Sequence, residues 1–218
     1  MKNLSAIIDL IHQRFEIQTR VRDQALLQSR QLTRHAAQAI RAIHRDEDDL
    51  AMDHLAKAKT LVDKLKEALS EFPDLYHAGY TQDAIKEFVE AKITRALILN
   101  EPLPTADEMG TEYATYLNGM AEVPGELRRR CLDILRQGYS EEAERLLSCM
   151  DEIYSVLVTM DYPNVITHGL RRQTDLVRGI LERTRADLTM SLREEQLKQS
   201  MEELNFHLSS RQEENEAD

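Results

Sequence analysis

Four glutamates in two short stretches carry the strongest chemical signal in the chain. Glu87 and Glu90 lie in "IKEFVEAKITRALI", and Glu122 and Glu126 lie in "GMAEVPGELRRR". Spacings of three and four each put two carboxylates on one face of a helix. Around the first pair, Ile85, Phe88, Val89, Ile93, Ala96 and Leu97 cover most of the circumference. A helix apolar nearly all round is expected to be buried, and a buried carboxylate needs a proton, a cation or a metal. Four acids on two helices can converge on one or two hard cations, Mg²⁺ or Mn²⁺, which prefer oxygen ligands. The competing reading is a solvated stripe in which Glu87 pairs with Lys86 or Arg95, and spacing alone favours it. Pro124 and Gly125 interrupt the second pair. Proline cannot donate to the Met120 carbonyl, and glycine lets another backbone approach. A local kink there is expected to aim Glu122 and Glu126 inward. The alternatives are a harmless bend, or a helix that ends at Val123.

Other chemistries find little support. Di-iron bundles use Glu-x-x-His, and no histidine follows these glutamates at that spacing. The seven histidines show no i, i+4 pairing, so each reads as a surface or core residue. There is no P-loop, no GxGxxG and no recognisable nucleophile context. Cys131 and Cys149 sit in no metal or redox spacing and read as reduced thiols of a cytoplasmic protein. No apolar run is long enough to cross a membrane, and the N-terminal apolar stretch is too short for a signal peptide.

The net charge is −11, which by itself argues against nucleic acid. The first helical stretch departs from that average. Between Ile11 and Arg45 there are seven arginines against Glu16 and Asp23. Arg20, Arg30, Arg34, Arg41 and Arg45 fall within about a quarter of the circumference of an ideal helix. Val21, Leu32, Ala36, Ile40 and Ile43 take the far side. Such faces usually serve solubility, but those mix signs. A stripe of one sign suggests contact with phosphates. Aromatic residues make up only 5%, too few for a base-stacking platform. Nucleic acid would therefore be held by its backbone, with little sequence preference.

The elements that must position these residues are helices. Gly (7) and Pro (5) are scarce, Trp is absent and 31% of residues are charged, which is an all-α composition. Six long stretches are expected. The first runs from about Leu4 to Ile43, stopping at Asp46–Asp49, and the second from Asp48 to Leu69. The third runs from Thr81, as N-cap, to Leu99, and prolines 102 and 104 forbid its continuation. The fourth starts at a capping box of Thr105 and Glu108 and reaches Arg136. The fifth is capped by Ser140 and ends near Met160. The sixth has Pro163 in its first turn and runs past Leu192 toward His207. There Leu197, Met201, Leu204 and Leu208 form a short coiled-coil-like seam, free to dock on its own domain or on another subunit. Residues 1–208 read as one domain and 209–218 as an acidic disordered tail.

"EFVEAKITRAL" followed by "YLNGMAEVPGELRRRCLDIL" resembles the translin and translin-associated factor X family. The shared pattern is E-[YF]-[IV]-E-A, then Y-L-x-G-x-A-[DE]-x-x-G-E-L-x-R, within a likeness spanning about Leu4 to Leu192. The resemblance implies a single all-α domain of seven helices, the seventh arising by division of one long stretch. It also implies a choice between two branches: a nucleic-acid binder without the acids, and a metal-dependent endoribonuclease with them. Glu87 and Glu90 match the catalytic branch's E-x-x-E pair, Glu122 its aspartate, and Glu126 the glutamate four residues on. The departures are the longer Glu122 and the proline at 124. Hollow octamers holding RNA inside, built from one chain type in prokaryotic members, are a further implication.

The resulting expectation is a cytoplasmic endoribonuclease for single-stranded RNA. Glu90, Glu122 and Glu126 would hold Mg²⁺ or Mn²⁺, with Glu87 a further ligand or general base. Arg20, Arg30, Arg34, Arg41 and Arg45 would hold RNA, in a homo-oligomer, an octamer by resemblance. The alternatives are a catalytically weak binding scaffold for RNA or single-stranded DNA, and an all-α nucleotide pyrophosphohydrolase.

Overall fold

A computed structural model describes the backbone of residues 3–216 and the side chains of residues 3–210. Nine helical segments and no strand occur among the described residues. Six are long: α1 (Leu4–Ile43), α2 (Asp48–Ala68), α4 (Gly79–Ile98), α6 (Tyr113–Leu135), α7 (Glu141–Val158) and α9 (Leu170–Glu216). Three are single turns: α3 (Pro73–Tyr76), α5 (Ala106–Met109) and α8 (Asn164–Thr167). The all-α class and the six long stretches are as expected, and the extra turns explain the shifted boundaries.

Thr81 is not an N-cap. Pro73 starts the one-turn α3, and α4 then begins at Gly79 with Ala78 as its extended N-cap. Thr81 is buried inside α4, and its hydroxyl donates to the Leu75 carbonyl at 2.8 Å. The Thr105–Glu108 capping box forms, but it caps only α5. Gly110, with φ 68°, ends that turn before α6 starts at Tyr113. Ser140 caps α7 by accepting from the Glu142 amide at 3.2 Å. Pro163 precedes α8 rather than α9. His168 (φ 50°) and Gly169 (φ 89°) then turn the chain into α9. The tail expected over 209–218 falls mainly on residues whose side chains lie outside the described set.

Packing follows the apolar faces. α1 lies against α2 and α4, α4 against α6, and α6 against α7 and α9. α4 is therefore enclosed on several sides, and Ile85, Phe88, Val89, Ala91 and Ile93 have no more than 1% of their surface exposed. The outermost helices are longer than the bundle they cover. α1 spans about 60 Å at 1.5 Å per residue, yet its buried residues begin only at Ala25. The buried row on α9, Leu170, Val177, Leu181, Thr184 and Leu188, stops well before its end. Leu197, Met201, Leu204 and Leu208 beyond it are each more than half exposed, as are Ile7, Leu10 and Phe15 on α1.

Candidate metal centre

The contact between α4 and α6 is set by a glycine. A Cβ on Gly119 would lie 2.7 Å from Cβ and Cγ1 of Val89 and 2.9 Å from the Lys86 carbonyl oxygen. Only a missing side chain permits that approach. It brings the Glu87–Glu90 turn of α4 against the Glu122 turn of α6. Gly125, the glycine expected to admit a neighbouring backbone, has no atom within 4 Å of the corresponding position. α6 continues through Pro124, which is buried, so the boundary at Val123 does not occur.

Glu87, Glu90 and Glu122 come together. Each offers a carboxylate oxygen such that all three lie within 4.8 Å of one another, the one such group of three or more potential ligands among the described residues. Glu90 is the most buried, 8% exposed. Burial, then the charges of Glu122, Glu87 and Glu126, push its carboxyl up to about 8. Glu87 is also raised, by burial and then by Glu122. Carboxyls driven this far toward the neutral form mark a site short of positive charge. The donors are all carboxylate oxygens, which suits Mg²⁺ or Mn²⁺.

Glu126 stands apart from that trio. Its Oε2 lies 2.6 Å from Nε2 of His44, at the end of α1, and 3.7 Å from Arg129. The His44 bond holds its carboxyl below the ordinary range despite burial. The His44 side chain is 3% exposed, and its Nδ1 is buried without a partner. An ionised carboxylate can only accept, so Nε2 of His44 donates to Glu126. The histidine was invisible in the sequence because it lies 82 residues from its partner. Lys86 does not pair with Glu87, the partner its sequence position suggests. Its ammonium instead lies 2.7 Å from Glu122 Oε1, and Gln173 of α9 donates to the same oxygen at 3.4 Å. Burial works against the Lys86 charge, but the Glu122 bond and the surrounding acids outweigh it and raise its pKa. Arg95, the other expected partner of Glu87, binds Asp48 and Glu101.

The arginines after Glu126 fix α6 in place. Arg128 pairs with Asp187 of α9 at 2.7 Å, and Arg130 with Asp46, in the turn after α1, at 2.8 Å. The α1 stripe is where its spacing put it: Arg20, Arg30, Arg34, Arg41 and Arg45 are all exposed. None is in an ion pair among the described residues.

No protein-family model matches the chain. An uncharacterised protein of Methanocaldococcus jannaschii is 33% identical over 191 residues, 87% of this chain and 84% of that one. Among solved structures, the Archaeoglobus C3PO–duplex RNA complex is 32% identical with a TM-score of 0.78, covering 84% of this chain and 95% of that one. C3PO is a translin/factor X-type protein. The chain belongs to the translin family. C3PO from Nematostella, in its apo form, matches with a TM-score of 0.77 over 84% of this chain, and at 20% identity shows the translin fold alone. No helix of the described residues is long and apolar enough to cross a membrane.

Proposed function

We propose that this chain is a metal-dependent endoribonuclease of the catalytic, factor X-like branch, acting on single-stranded RNA in the cytoplasm. The observation that carries the reading is the convergence of Glu87, Glu90 and Glu122 within 4.8 Å, with Glu90 buried and pushed up to about 8. Those three would hold Mg²⁺ or Mn²⁺, and Glu126, kept ionised by His44, is the fourth oxygen donor at hand. The ion would lower the pKa of water and stabilise charge on the phosphoryl oxygens. Glu87, the more weakly buried of the raised pair, would serve either as the third ligand or, when not bound to the ion, as the base that accepts the proton of the attacking water. Lys86, whose ammonium lies 2.7 Å from Glu122, would be released to a phosphate oxygen if an ion took its place there. The α1 arginines would hold the RNA backbone. The exposed apolar ends of α1 and α9 support assembly of identical chains, an octamer by family resemblance.

A second reading, a binding scaffold for RNA or single-stranded DNA, draws on one observation. Lys86 already occupies the Glu122 oxygen that an ion would need. The likeness to C3PO, one example of which was solved with duplex RNA, favours RNA over a nucleoside triphosphate as ligand for either reading.

The test uses labelled single-stranded and duplex RNA with Mn²⁺, with and without chelator, on wild type and Glu90→Gln. Chelator-sensitive cutting of single strands, lost in the variant while RNA binding persists, is expected. Full activity in Glu90→Gln, with contaminating nuclease excluded, refutes the acid cluster as the active site. No cutting by wild type leaves the scaffold.

A further inference from the structure

A cavity of about 450 Å³ opens beside the acidic cluster, between the start of α4, the start of α6 and the turn from α8 into α9. Its size falls in the range of about 300–1,000 Å³ found for small-molecule sites. It shares two walls with the metal centre: Lys86 and Gln173 line it, and both bond Glu122 Oε1. A chain whose phosphate lay at the cluster would therefore run past Lys86 into this space.

Three rings from three elements border it: His77 after α3, Tyr113 at the start of α6 and His168 after α8. All three are exposed. Two of the chain's seven histidines and one of its seven tyrosines thus meet at one cavity beside the cluster. His168 is held in a left-handed conformation, φ 50° and ψ 46°. Histidine tolerates that region better than most residues, yet it remains uncommon without glycine. The turn is pinned from below. The buried Asn118 donates to the Thr167 carbonyl and to the Ala114 carbonyl, each at 2.8 Å. The remaining charge on the lining is acidic, Asp83 and Glu112, apart from Lys86. Such a rim repels further phosphates but accepts from the amino and imino groups of a base. One cation at the inner end and rings with acceptors elsewhere match one phosphate followed by one base.

We propose that this cavity is a nucleotide subsite, which seats the base next to the phosphate at the acidic cluster against Tyr113, His77 and His168. Its link to a scissile phosphate rests on the endoribonuclease reading above; binding of a single nucleotide does not. It departs from the sequence expectation of backbone-only recognition, because the rings come together only in the fold.

Calorimetry on the full chain, with Mn²⁺ and again in chelator, with adenosine and uridine 5′-monophosphates and ribose 5-phosphate as control, tests the subsite. Both nucleotides should bind at least about five-fold tighter than the sugar phosphate, the lower end of base–aromatic stacking. Tyr113→Ala should remove that advantage and Tyr113→Phe keep it. Ala114→Trp, which fills the cavity, should abolish nucleotide binding with the helical circular dichroism unchanged; should it unfold, His168→Ala takes its place and should weaken nucleotide binding. On single-stranded RNA with one abasic residue, wild type should cut beside that residue more slowly than at intact sites, and Tyr113→Ala should cut both alike. Equal affinity for nucleotides and sugar phosphate, or nucleotide binding unaffected by both Tyr113→Ala and a cavity variant, overturns the subsite even if RNA is cut. Selective nucleotide binding without chelator-sensitive cutting leaves the subsite standing and removes the endoribonuclease reading.

Discussion

Glu90 should make the metal-free protein less stable as pH rises, and Glu90→Gln should cancel much of that loss. Its carboxyl moves from an ordinary 4.5 in the unfolded chain to about 8 in the fold. Between those values the folded chain keeps a proton that the unfolded chain has released. The unfolding free energy then falls with pH by about 1.4 kcal/mol per unit. At pH 7 the accumulated loss is roughly 3 kcal/mol, and it levels off near 5 kcal/mol above pH 8. Glu87 shifts in the same direction, so the slope belongs to the cluster, and Glu90 supplies the largest part. A glutamine carries no charge to suppress. The metal-free variant should match wild type near pH 5 and exceed it by up to about 3 kcal/mol at pH 7. Mn²⁺ should reverse the order, because an ion held by three ionised carboxylates stabilises wild type more than a variant that offers two. Urea unfolding at pH 5, 7 and 8.5, at one protein concentration, with chelator and then with Mn²⁺, reads both effects. A variant less stable than wild type in chelator at pH 8.5, or two parallel pH profiles, refutes the reasoning.

Gly119→Ala should cost about 1–3 kcal/mol by overpacking, read by urea unfolding. It should also weaken Mn²⁺ binding in calorimetry, because α4 and α6 must part where the acids meet. His44→Phe leaves Glu126 without its donor and should destabilise by about 1–3 kcal/mol, whereas His44→Gln, which keeps an N–H within reach, should recover part of the loss in the same melts. Changing Arg30, Arg34 and Arg41 to Ala should weaken RNA binding about equally for all sequences and lower the slope of log affinity against log salt by about 0.7 per lost single-strand contact; an unchanged slope assigns the stripe to a subunit contact or to solvent. Light scattering should give a mass several times 25.2 kDa, and a single-subunit mass over a broad concentration range would defeat the closed assembly.

The parts of the site that were legible in the sequence are those written in helical spacing. Glu87 and Glu90 on a helix apolar all round, and Glu122 on a second helix, need only a period of 3.6 and a count of apolar neighbours. The exposed face of the α1 arginines follows from the same period, and the caps at Thr105 and Ser140 from hydroxyls that accept amides three and two residues on. Contacts across distant segments carry no such period. Nothing near His44 announces Glu126, and nothing near Lys86 says that Glu122 will outbid Glu87 for its ammonium. Gly125, beside a proline, is the more conspicuous glycine in the sequence, yet the backbone approach happens at Gly119, six residues earlier. Which face of α6 meets α4 is decided by packing, and a glycine is silent about which neighbour needs its missing side chain. The single-turn helices at 73–76 and 164–167 are not legible, because a proline marks a start without stating how far the turn continues.

The placement of the acids on α4 has a consequence for where motion resides. α4 is walled in by α1, α2 and α6, and its residues from Ala84 to Ala96 form the middle of the core. Amide protons in such a segment exchange with solvent only when the whole domain opens. The Glu87–Glu90 turn should thus be among the slowest-exchanging stretches of the chain, whereas the turn at His168 and Gly169 and the outlying ends of α1 and α9 should exchange early. Ligands would then meet a fixed constellation of carboxylates, with adaptation left to the periphery. Variants that loosen α4 would be expected to lose fold and chemistry at the same denaturant concentration, so the two could be separated only by substitutions that, like Glu90→Gln, alter charge without altering shape.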